Sequence, residues 1–109
     1  MKPDEIPNNA DGDVIRRLIK SNFDFSSKHT VDFNIDLENW PPNDQLIKLL
    51  KQNSYKYTLH KSSEDFNGYI EIQIKEYITY EFVTKTQDEL TKISKPYGGV
   101  CESWGIMQN

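Results

Sequence analysis

The sequence predicts an α+β domain built on a ferredoxin-like, split β-α-β antiparallel sheet, with one extra helix at its N-terminal side. Three observations carry that expectation. "TVDFNIDLE" and "YIEIQIK" alternate apolar and polar residues with the period of a half-buried strand. Segments with helical spacing and capping residues stand before, between and after the strands. The resulting order is α-β-α-β-β-α-β. This topology makes the first and third strands central, and those two alternate most cleanly.

Residues 1–10, "MKPDEIPNNA", hold two prolines, two asparagines and few large apolar side chains, and are expected to form a flexible N-terminal arm. A single domain is expected over 11–109. Its first helix lies in "DGDVIRRLIKSN", with Asp11 as N-cap and Asp13 in the first turn, where a carboxylate meets free N–H groups. Val14, Ile15 and Leu18 form its apolar stripe, Arg16, Arg17 and Lys20 face water, and Asn22 stops it.

In the first strand Val31, Phe33, Ile35 and Leu37 point inward, and Asp32, Asn34 and Asp36 point outward. "WPPND" interrupts, because proline cannot extend a sheet ladder, and Asn43 or Asp44 opens a second helix carrying Leu46, Ile47 and Leu50. "YKYTLHK" reads as a strand with Tyr55, Tyr57 and Leu59 on one face. "SSEDFNG" is a turn cluster, and "YIEIQIK" completes a hairpin with Ile70, Ile72 and Ile74 inward. Thr79 caps a third helix with Phe82, Val83, Thr86, Leu90 and Ile93 on one face. Pro96 and Gly98 end it, Gly99 turns the chain, and "VCESWGI" is the last strand. Trp104 is expected to cover the core, and Gly105 to permit a close approach of backbone or ring.

Composition narrows the function. The chain has 109 residues, enough for one domain, with 36% hydrophobic and 28% charged residues, a globular balance. The net charge of −4 argues against sequence-independent nucleic-acid binding and against an anionic membrane surface. One cysteine makes no internal disulfide, and no apolar run approaches a membrane span, so the expected compartment is the cytoplasm.

Few residues offer chemistry. The outward positions of the central strands are acidic or amide, with Tyr69 the exception, so bases have no aromatic platform there. Asp32, Asn34 and Asp36 match the start of a calcium loop, but Leu37 stands where glycine is needed and Asn43 where a bidentate Glu belongs. They read as solvated strand residues. Cys101 with His29 or His60 has no thiol-enzyme spacing and reads as a small buried hydrophobe. His29 is expected to cap or pair with Asp24 or Asp32, and His60 to be an exposed strand residue. Asp11, Asp13 and Asp24 serve capping and turns first, and a docking surface for Lys or Arg second. With Asp32 and Asp36 they are the candidate partner-binding residues. No phosphate loop, zinc spacing or nucleophile elbow occurs, so neither metal, cofactor nor catalysis is expected.

"DGDVIRRLIKSNFDFSSKHTVDF" together with "KPYGGVCESWG" resembles the RraB family, bacterial protein regulators of ribonuclease E. The matching positions are Asp11-Gly12-Asp13, Asn22-Phe23-Asp24, His29, Val31-Asp32-Phe33, Gly98-Gly99 and Trp104-Gly105, over about residues 11–106. The resemblance implies a ferredoxin-like fold and a noncatalytic inhibitor that binds ribonuclease E and modulates RNA decay. The acidic balance suits such contact, because the noncatalytic part of that nuclease is rich in basic segments. A stand-alone interaction domain with another protein target is the alternative, and an enzymatic role for Cys101 with a histidine ranks behind both.

Overall fold

The computed structural model describes residues 6–64 and 67–106. The chain runs α1 (Ala10–Lys20), β1 (His29–Leu37), α2 (Asp44–Gln52), β2 (Lys56–His60), β3 (Tyr69–Glu76), α3 (Tyr80–Ser94) and β4 (Gly99–Ile106). A 3-10 turn, Lys95–Tyr97, joins α3 to β4. The four strands form one antiparallel sheet in the order β2-β3-β1-β4.

The alternation in β1 and β3 becomes two faces. Val31, Phe33, Ile35, Ile70 and Ile72 are fully buried beneath the helices, joined by Leu46, Leu50, Val83 and Leu90. α3 crosses β4 and β1, and α1 and α2 pack on α3. The phenyl ring of Phe33 meets that of Phe82 edge-on at 5.7 Å, a favoured aromatic geometry.

The first helix begins earlier than expected. Asn9, not Asp11, is the N-cap: its side chain accepts from the Gly12 N–H at 2.9 Å. Of the arm expected over 1–10, residues 1–5 lie outside the described residues. Ile6 is buried in the core, and Arg16 reaches back to the carbonyls of Ile6 and Pro7 at 3.1 and 3.3 Å. Arg16 therefore clamps this segment rather than facing water. Gly12 makes the crossing possible, since a Cβ there would lie 2.0 Å from the Pro7 carbonyl oxygen.

The other helix ends match their signals. Asn43 and Thr79 cap α2 and α3 through side-chain oxygens. Asn22 follows α1 with φ 60°, and Gly98 closes the 3-10 turn with φ 77°, the left-handed region that ends helices. Gly99 opens β4 instead of making a turn, packed where a Cβ would meet Ser94 at 2.6 Å.

The edge strand β2 departs most from expectation. Tyr55 lies before it, Tyr57 is half-buried against the core, and Leu59 is 44% exposed. The turn expected at 62–68 includes Asp65 and Phe66, which lie outside the described residues.

Candidate functional site

The sheet face away from the helices carries the densest set of polar groups. Strand register arranges them in rows. Lys56, Gln73, Asp32 and Gly105 form one row, Thr58, Glu71, Asn34 and Ser103 the next, and His60, Tyr69 and Asp36 a third. A register shift at Asn34/Ile35 leaves Glu102 unpaired on β4, the signature of a bulge.

Two groups on this face are tied together. His60 Nε2 lies 2.8 Å from Glu71 Oε1, and its imidazole stacks on Tyr69 at 4.4 Å. His60 is therefore half-buried and partnered, a correction to the exposed position expected from sequence. Gln73 also donates to Glu71, at 3.3 Å. One side of the Tyr69 ring is covered by the imidazole, so the one outward-facing aromatic of the central strands is not a free stacking platform.

Asp32 is the opposite case. Its Oδ1 is buried without a hydrogen-bond partner among the described residues. Burial, reinforced by the charge of Glu71, raises its pKa above the ordinary 3.8. A carboxylate in that position costs stability and attracts cations.

The remaining candidates separate. Asp36 shares the sheet face with Asp32 and lies exposed, at the rim of a shallow cleft with Glu38, Lys95 and Gly98. Asp13 stays at the start of α1, pairing with Arg16 at 2.6 Å. Asp24 sits in the loop between α1 and β1, where its carboxylate accepts from both hydroxyls of Ser26 and Ser27 and from the Ser26 N–H. Those bonds lower its pKa to about 2. His29 donates from Nε2 to the Asp24 carbonyl at 2.8 Å and lies on Phe23 at 4.4 Å, which orders the same loop.

Asp11 turns inward. Its Oδ1 accepts from Trp104 Nε1 at 2.9 Å and its Oδ2 from Gln87 Nε2 at 3.1 Å. Gln87 is buried although it lies outside the set of inward positions expected for α3. This carboxylate binds the first helix to the last strand. Both of its oxygens are engaged within the fold.

Cys101 is buried, and its thiol is pushed up to about 12, first by burial and then by the charge of Asp36. Its backbone N–H donates to Thr91 Oγ1 at 2.9 Å. These are the surroundings of a core residue. Among the described residues no three His, Cys, Asp or Glu side chains stand close enough to hold a metal ion. Among them, too, no helix is long and apolar enough to cross a membrane.

The family model for RraB, described as "Regulator of ribonuclease activity B", matches residues 8–106. No curated protein matches the chain.

Proposed function

The chain belongs to the RraB family, and on that premise we propose that it is a noncatalytic protein regulator that binds ribonuclease E and slows its cleavage of RNA. The family is one of regulators of ribonuclease activity. That match, which takes in every described helix and strand, is the observation that carries the proposal. Action by protein contact in the cytoplasm, and ribonuclease E as the target, are the finer parts of the proposal. They rest on the resemblance of the "DGD", "VDF" and "GG…SWG" segments and on a net charge of −4 suited to a basic partner. We read residues 11–109 as one domain and its strand order as ferredoxin-like, a scaffold that presents one sheet face to solvent.

Of the candidate carboxylates, Asp13, Asp24, Asp32 and Asp36 remain as partner-facing groups. Capture from native lysate with the tagged chain tests the proposal. Recovery of ribonuclease E is the expected outcome. Reproducible recovery of a different, non-nuclease protein would replace this function with the stand-alone interaction domain.

A further inference from the structure

Gly105 is the one glycine of the described structure that neither backbone conformation nor crowding requires. Gly98 has φ 77°, and a Cβ on Gly12, Gly68 or Gly99 would fall within 3.0 Å of a neighbour. A Cβ on Gly105 would meet a single described atom, Asp32 Oδ2, at the ordinary contact distance of 3.7 Å. Glycine weakens a strand, and where packing does not demand it the missing side chain keeps a surface open for a close approach.

The opening lies beside a carboxylate with one enclosed oxygen that lacks a hydrogen-bond partner among the described residues. Asp32 is directly across from Gly105 in the β1–β4 register. Its Oδ1 is enclosed without a donor, and its Oδ2 faces the space over Gly105. Glu71, the neighbouring carboxylate, is already engaged by His60 and Gln73. Lys56 and Lys75 flank the face, yet among the described residues neither forms an ion pair with Asp32. One row along, Asn34 donates to Ser103 Oγ at 3.3 Å, so its amide N–H is turned to Ser103.

We propose that the notch formed by Asp32 and Gly105 on the open sheet face receives an arginine side chain of a protein partner. The charge is complementary, and a guanidinium is a flat, weakly hydrated cation with several donors in one plane, suited to a carboxylate oxygen approached over a residue without a side chain. A cation at Oδ2 also neutralises the carboxylate whose other oxygen is enclosed. The notch deepens the regulatory function by naming where contact is made, and it rests on that reading for the identity of the partner.

The test uses a short peptide of alternating arginine and glycine, and its citrulline counterpart, titrated into the full chain while the Gly105 amide and Asp32 carboxyl resonances are followed. The arginine peptide is expected to shift both, and the citrulline peptide, which keeps the shape and loses the charge, neither. Asp32→Asn and Gly105→Ala are each expected to weaken the peptide by about tenfold while leaving thermal stability equal to or above that of the parent. Equal shifts from both peptides, unchanged binding by both variants, or a loss of stability in both overturns the proposal. Capture of ribonuclease E by each variant separates the two levels. Undiminished capture with no peptide effect removes the notch and leaves the regulator. Peptide binding at the notch with no nuclease captured by the parent chain removes the regulator and leaves the notch.

Discussion

Asp11 and Asp32 are both half-buried carboxylates with opposite energetics. Asp11 satisfies Trp104 and Gln87, so Asp11→Ala strands two donors and is expected to cost about 2–3 kcal/mol in denaturant unfolding. Asp32 has an enclosed oxygen without a partner, so Asp32→Asn is expected to raise stability by up to about 1 kcal/mol. The titration signs differ in the same way. The folded pKa of Asp32 lies above 3.8, so its penalty is present at neutral pH and fades as pH falls through that raised value. Asp24 has a folded pKa of about 2, so its contribution is complete above 3.8 and is lost as pH falls through about 2. Carboxyl NMR titration should place Asp24 well below Asp32. A common midpoint contradicts both assignments. At this scale the sequence was least legible. It marked Asp11, Asp24 and Asp32 alike as acidic, because linear spacing cannot show that Asp11 meets a tryptophan 93 positions away.

The strands and helices were far more legible, because alternation and caps are local. β1, β3 and the cap of α3 follow directly from "VDFNIDL", "YIEIQIK" and Thr79. The start of α1 did not, since Asp11 and Asn9 are both good caps and tertiary bonds to Asp11 decide between them. Nor did the clamp on Ile6 and Pro7, which depends on the close approach at Gly12. Gly12→Ala drives a methyl into the Pro7 carbonyl and is expected to destabilise the fold by about 1–3 kcal/mol in thermal or denaturant unfolding. At the other edge, Thr91 on α3 covers the Cys101 backbone N–H of β4. Edge strands with unpaired backbone groups invite association. Thr91→Val should therefore speed hydrogen exchange at Cys101 several-fold and cost about 1–2 kcal/mol, read by exchange and unfolding together.

The whole molecule divides its labour between two faces of one sheet. The helical side holds the core, and the open side carries Asp32, Asp36 and Glu71 among amides and hydroxyls. A regulator that works through this surface should bind through charge as well as shape, so its affinity for the nuclease is expected to fall as salt rises from low to physiological strength. An affinity indifferent to salt would move attention to apolar positions such as Leu59 and Tyr77. The proposed function is the restraint of a ribonuclease. Its most direct test is the rate at which purified ribonuclease E cleaves a defined RNA as the chain is added in increasing amounts. A saturable fall in the cleavage rate is expected, with no cleavage by the chain alone. A rate that stays constant at saturating chain would contradict it.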